Sequence, residues 1–497
     1  MLSLLLLGGA CDEERTTPTV SGQDGGPDDE DVDVCKVRDS EEDGVPSCDD
    51  KAPPGSFEAE IQWTWNGDNG EINSIVAPLV ANMTDDNGDG AIDLCDTPDV
   101  LVVAGVSVTG VGHIHILDGA TGVESLMFET MVDASVTPAL GDIDGDGLVE
   151  VVTVEPSGMF VAFEHDGTVK WSNTTAWPGG AAYSGSIALA DIDQDGDVEI
   201  IAGNLVLDHM GTLLWQAPQP AGNWSSTAVA DLDGDGPMEI ILGHAAYHHD
   251  GTEYYVAPIS PGYPQVADLD GDTRPEIVVT NINGIALLDY DGTVIYQDQR
   301  PTGDPAVSQH WLRPATIHDF DGDGQPEFAV SSANHYTVYE RDASMVWSAT
   351  VSDQSGIAAG TAFDFLGDGI AEAMYADETQ MFVFDGEGVP LLTMGRTSGT
   401  LSEYPVVADI DNDGSAEIVV VSNSWSAGGS AAVQVIRDRE DRWIQARRIW
   451  NQHTYHVTNV REDGTIPQFE KRHWKGLNTF RTNAQIGDGG VCEPSVD

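Results

Sequence analysis

The chain has 497 residues, of which 84 are Asp or Glu and 20 are Lys or Arg, for a formal net charge of −64. That excess excludes nucleic-acid binding and docking on an anionic lipid surface, both of which need basic patches. With 40% hydrophobic residues and 12 Trp the chain is no disordered acidic tail, and 55 Gly point to many tight turns and an all-β chain.

Residues 1–11, MLSLLLLGGAC, hold a short apolar run, small residues and then Cys11. The stretch resembles a bacterial lipoprotein signal, in which the cysteine becomes the lipidated first residue. Gly8 stands where an aliphatic residue is usual and no Lys or Arg precedes the run, so an ordinary secreted or unprocessed start is the other reading. The run is too short to span a bilayer. Residues 12–56 are mostly Asp, Glu, Pro, Gly, Ser and Thr and hold 15 of the acids. That composition predicts a flexible acidic spacer. With Cys11 set aside, Cys35, Cys48, Cys95 and Cys492 remain, an even count that suits an oxidising compartment and two disulfides. Sequence does not settle connectivity. The expected pairs are Cys35–Cys48, a small loop within the spacer, and Cys95–Cys492.

A repeat of roughly 40–55 residues then runs along the chain. Its core phrase is Asp-x-Asp-x-Asp-Gly-x-x-Glu followed by β-branched residues. The phrase supplies Asp142, Asp144, Asp146 and Glu150, then Asp191, Asp193, Asp195 and Glu199, then Asp231, Asp233, Asp235 and Glu239. It recurs as Asp268, Asp270, Asp272 and Glu276, as Asp319, Asp321, Asp323 and Glu327, and as Asp409, Asp411, Asp413 and Glu417. Two copies deviate. The first offers Asp85, Asn87, Asp89 and Asp93, with an insertion before the next strand. The copy at 364 keeps Asp364, Asp368 and Glu372 but has Leu366 where the second carboxylate belongs, which counts against a metal there. At 268 Thr273 replaces the turn glycine. Carboxylates at positions 1, 3 and 5 of a tight loop converge on one point, Gly at 6 permits the turn, and an acid at 9 helps close an oxygen cage. Hard oxygen ligands in a flexible loop suit calcium. The eight nine-residue loops hold 32 of the 84 acids.

A short apolar strand leads into each loop and a Val- and Ile-rich strand follows. An Asp-Gly turn comes next, then a strand bearing an aromatic residue: Trp171, Trp215, Tyr296 or Trp347. These aromatics are expected as core between units. Four short strands per unit, repeated in a ring, describe a β-propeller. On these loops and this layout the chain resembles the FG-GAP/VCBS-type repeats also found in the head of integrin α chains, over roughly residues 57–450. The resemblance implies Ca²⁺ at the loops, about seven to eight mainly structural sites, held by the acids named above. Eight loops predict eight four-stranded blades, with seven as the alternative. The propeller is expected over 57–486, with a tail at 487–497. The stretch 437–481 holds ten of the 20 basic residues and is read as a strand closing the ring plus a cap, with Arg447, Arg448 and His453 facing acidic loops of the first blade. An anion or sugar-acid site is the sharper alternative.

The sequence contains no convincing catalytic set. It has no Gly-x-Ser-x-Gly elbow, no His-Glu-x-x-His and no phosphate-binding glycine loop. His244, His248, His249, His310 and His318 fit no metal template and read as turn residues. The first functional reading is therefore non-enzymatic: a calcium-binding adhesion module of the bacterial cell surface, monomeric, with a protein or polysaccharide ligand. The alternatives are a propeller lyase acting on acidic polysaccharide, for which His310 with Arg313 is the set to consider, and a purely structural envelope scaffold.

Overall fold

Runs of Val, Ile, Leu and Ala flank each Asp-rich loop, and such runs favour strands once both faces are covered. In the computed structural model they form eight four-stranded antiparallel blades. The structure describes residues 35–37, 47–108, 110–177, 185–222, 226–303, 313–353, 355, 357–425, 429–487 and 490–494. All belong to the second of the chain's two units, Cys35–Asp497. The expectations for Cys11, for most of the spacer and for His310 fall outside the described residues.

Blade 1 consists of Leu79–Ala81, Asp99–Gly105, Val111–Asp118 and Glu124–Met127. Blade 2 consists of Ala139–Gly141, Glu150–Val154, Met159–Phe163 and Val169–Ala176. Blades 3 to 7 repeat the order over 185–216, 228–256, 262–299, 316–350 and 360–395. Blade 8 takes Val406–Ala408, Glu417–Val421 and Val433–Asp438, and its fourth strand is Ala59–Trp65 from the other end of the chain. This corrects the expected closure. The ring is shut by the N-terminal strand, which pairs antiparallel with Val433–Asp438, and not by the basic C-terminal stretch.

That stretch has a different place. The first strands of successive blades adjoin one another and line the middle of the ring. Residues 450–483 bond to the first strand of every blade or to the residue beside it. Trp450 exchanges backbone hydrogen bonds with Val80, Asn451 accepts from Leu140 N–H, and Gln452 Oε1 accepts from Leu189 N–H. Thr454 bonds to the Thr227 carbonyl, His473 to Val266, Phe480 to Ile317, Thr482 bridges Ala362, and Asn483 donates to the Val407 carbonyl. The segment is a plug. Arg447, just before it, is bound by it, donating to the Tyr455 hydroxyl and the Val457 and Val460 carbonyls, whereas Arg481 within it donates to the Ala315 carbonyl of the propeller. Arg448 pairs with Glu462 at 2.7 Å and reaches blade 1 only at the Leu94 carbonyl. His453 is buried between the Tyr263 and Tyr404 rings. The expected pairing with acidic loops of the first blade is thus replaced by carbonyls and rings, since an arginine buried in the plug must satisfy its donors locally.

Neighbouring blades interlock through the outer aromatics. Trp63, Phe128, Trp171, Trp215, Tyr255 and Trp347 each press on a glycine of the next blade: Gly122, Gly167, Gly211, Gly251, Gly292 and Gly388. A β-carbon at those glycines would lie 2.3–3.0 Å from the ring, and each has φ between +68° and +81°. The turn therefore needs glycine twice over. The Trp171 and Trp215 indoles donate to the His209 and His249 carbonyls, and the Tyr296 hydroxyl donates to the Arg341 carbonyl.

The disulfides are Cys35–Cys95 and Cys48–Cys492, which corrects the expected pairs. Short sequence separation favoured Cys35–Cys48, but the backbone carries each cysteine elsewhere. Leu94 N–H donates to the Cys35 carbonyl, and Cys48 N–H donates to the Glu493 carbonyl. The end of the acidic spacer is accordingly stitched to the propeller, with Ala52 N–H on the Leu366 carbonyl and Gln485 on the Asp50 carbonyl. No helix among the described residues is long and apolar enough to cross a membrane.

Candidate metal centres

Each Asp-rich loop joins the first and second strands of its blade. Antiparallel order puts that connection at the same end as the turn between strands three and four. In blade 2 the first carboxylate organises the loop: Asp142 Oδ1 accepts from the N–H groups of Gly145 and Asp146, and Oδ2 from Gly147. The ninth residue closes it, Glu150 Oε2 accepting from Ile143 N–H at 2.8 Å. The closing bond recurs in Glu199–Ile192, Glu239–Leu232, Glu276–Leu269, Glu327–Phe320, Glu372–Phe365 and Glu417–Ile410. One glutamate oxygen is thus fixed to the backbone and the other is left toward the loop.

These glutamates are buried, and their neighbours are acids. Burial, helped by Asp321 and Asp319, raises Glu327 to about 9 despite the Phe320 amide. Burial raises Glu199 to about 8 and Asp409 to about 7, and lifts Glu417 well above its ordinary value. Glu327 Oε1, Glu417 Oε1 and Asp409 Oδ1 have no hydrogen-bond partner. Ligand oxygens of Asp319, Asp321, Asp323 and Glu327 lie within 4.8 Å of one another. A converging all-oxygen set with an orphaned buried carboxylate oxygen fits a hard divalent cation.

The loops differ in what else enters them. Lys170, from the fourth strand of blade 2, sits 2.5 Å from Asp144, 3.1 Å from Glu150 and 3.2 Å from Glu164. Arg341, from the turn of blade 6, reaches back to Asp270 at 2.9 Å and Glu276 at 2.7 Å in blade 5. Arg472 of the plug lies 2.8 Å from Asp231, and His248 lies 2.9 Å from Glu239. Among the described residues no Lys or Arg forms an ion pair with the loops at 191 and 319. At 409 Gln445 bonds Asp409 and Gln62 bonds Asp411, and the Arg448 guanidinium donates to the Asn412 side chain of the loop at 3.1 Å.

The deviant copies resolve clearly. In the first loop Asp85 receives Gly88, Asp89 and Gly90 N–H just as Asp142 receives its amides. Asp93 does not take the ninth place; its Oδ1 accepts from Cys95 N–H. Asp96, fully buried, accepts from Asp86 and Asn87 N–H instead. Asp99, which heads the second strand as Glu150 does, binds Met83 N–H and the Thr84 hydroxyl. The insertion thus splits the glutamate's work between two residues that offsets counted from Asp85 do not reach. At 364 the amide pattern survives without a second carboxylate, and Leu366 lies under Ala52. Thr273 adopts φ +77° and still donates to Asp268 Oδ2. Of the other histidines, His318 is half-buried and bonds the Asp319 carbonyl, and desolvation lowers its value to about 4. His244 bonds the Leu242 carbonyl.

The stretches 142–202 and 268–330 match the FG-GAP-like repeat. The molecule is an eight-bladed β-propeller that carries FG-GAP-like repeats. Its fold is similar to that of the biofilm matrix protein Bap1 of V. cholerae, at 23% identity and TM-score 0.76, over 88% of this chain and 100% of that one. It is also similar to the exotype rhamnogalacturonan lyase YesX, at 14% identity and TM-score 0.54, over 90% and 83% of the two chains. A rhamnogalacturonan lyase of Bacillus licheniformis follows at 17% identity and TM-score 0.50, over 85% and 80%. At these identities the likeness is one of fold. No curated protein sequence matches the chain.

Proposed function

We propose that this chain is a calcium-stabilised, extracellular β-propeller that acts as a binding or adhesion module for a protein or polysaccharide. The observation that carries the reading is the set of buried carboxylates at repeated positions of one end of the ring, some of them with no protein cation beside them, seen most plainly at Glu327. Ca²⁺, when bound, supplies the charge that lets these acids ionise together. The protein's own part is to fix the cage: the first Asp gathers the loop amides, and the ninth residue ties the loop to the following strand. Two disulfides suit an oxidising exterior, and a lipid at Cys11 is the anchor the leader suggests. A plugged ring leaves loops and blade edges as the ligand surfaces. A matrix protein with this fold is in keeping with such a role.

The second reading, a lyase of acidic polysaccharide, rests on the lyases that share the fold. Arg313 weakens it, because it is 1% exposed and ion-paired with Asp353 at 3.2 Å. Screening the purified propeller in calcium against glycan arrays and envelope proteins, and against uronate polymers for absorbance from unsaturated ends, separates the readings. Saturable calcium-dependent binding without new absorbance is expected. New absorbance overturns the adhesion reading in favour of the lyase.

A further inference from the structure

The plug holds a second kind of cluster, chemically unlike the Asp-rich loops. His456, Glu470 and His473 offer one ligand atom each, all within 4.8 Å of one another. Both imidazoles are oriented by the backbone. His456 Nδ1 lies 3.1 Å from the Thr454 carbonyl, and His473 Nε2 lies 2.7 Å from the Val266 carbonyl. A carbonyl only accepts, so these nitrogens carry the protons. That leaves His456 Nε2 and His473 Nδ1 as the nitrogens with a lone pair to offer. Glu470 Oε1 lies 2.6 Å from His456 Nε2 and accepts the Thr458 hydroxyl at 2.9 Å. An ion pair of His456 with Glu470 would explain those two residues but not the third. His473 is 1% exposed, and its Nδ1 has no hydrogen-bond partner. Phe480 stacks on His456 at 5.5 Å and Trp474 packs edge-on to His473 at 5.0 Å, so the cluster has an apolar jacket.

We propose that His456, Glu470 and His473 form a binding site for one zinc-class divalent ion. Two imidazole nitrogens and one carboxylate are a ligand set such an ion takes, with a fourth position open, whereas calcium prefers oxygen alone. Backbone carbonyls on the outer imidazole nitrogens are the usual orienting partners of metal-bound histidine. The ion ties the two ends of the plug excursion 456–473 together beside blade 5, whose first strand supplies Val266. Thr458 is a positioning residue, acting through Glu470.

The test is a Co²⁺ titration of the full chain in excess Ca²⁺, which occupies the Asp-rich loops. One Co²⁺ per chain with strong visible d–d absorption is expected, displaced by Zn²⁺ and lost in both His473→Ala and Glu470→Gln. Thr458→Val should weaken the ion by about 10- to 100-fold. X-ray absorption at the zinc edge of the wild-type chain reads the ligands even if a variant fails to fold, with two imidazoles and one carboxylate expected. A wild-type chain without that absorption, absorption that persists in both variants, or an oxygen-only ligand sphere would overturn the site.

Discussion

The loops at 142 and 319 hold the same four acids on the same backbone scheme, yet only the first has a protein cation inside it. Lys170 bridges Asp144, Glu150 and Glu164. In blade 6 the position equivalent to Lys170 is Val346, and Glu327 keeps a buried oxygen without a partner. One residue on the fourth strand thus accounts for a protein cation that the first loop has and the second lacks. Arg341 makes the same difference at 268, but from the adjacent blade. Repeats with one consensus therefore need not be equal in their demand for metal.

The comparison can be broken in several ways, the largest effect first. In EDTA the carboxylates without a cation dominate pH dependence. Glu327 is raised from 4.5 to about 9 and Glu199 from 4.5 to about 8. A raised folded value contributes stability that is full below the unfolded value and lost as pH climbs through the folded one. Metal-free protein should therefore lose several kcal/mol between about pH 4.5 and 9, and saturating Ca²⁺ should flatten the slope. Urea melts along that range check it; a flat metal-free profile contradicts it. Next, Lys170→Met removes the internal cation and should cost about 2–3 kcal/mol in EDTA, with much of it recovered by Ca²⁺. Equal losses with and without Ca²⁺ would show that Lys170 only packs. Glu327→Gln should change sign with metal. It should stabilise the metal-free protein at pH 8 and cost about 1–3 kcal/mol in millimolar Ca²⁺, the worth of one weak extracellular site. Glu150→Gln should show no such reversal, because Lys170 still holds Asp144. The smallest effect is expected at 364, where Asp368→Asn should leave calcium stoichiometry unchanged.

Blade number, strand order and loop position were legible in the sequence because each repeat states its own local rule. The β-branched run, the Asp phrase, the Asp-Gly turn and the aromatic recur at fixed offsets, and Trp171, Trp215, Tyr296 and Trp347 do lie between blades. Contacts between distant segments left no such local mark. Ring closure by Ala59–Trp65, the course of the plug and the pairing of Cys35 with Cys95 depend on where the chain returns, and a sequence separation of 444 residues for Cys48–Cys492 carries no periodic signal. Asp96 was hidden for a smaller reason, since an insertion moved it off the repeat's offset. Lys170 and Arg341 were visible as residues, but their targets follow only from side-chain reach within and across blades.

The central claim is that calcium in these loops holds the propeller together. Thermal melting of the full chain in millimolar Ca²⁺ and in EDTA at pH 8 tests it most directly. A marked fall in Tm on chelation, restored by Ca²⁺ and larger in Lys170→Met than in the wild type, is the predicted result. The same Tm with and without Ca²⁺ would contradict it.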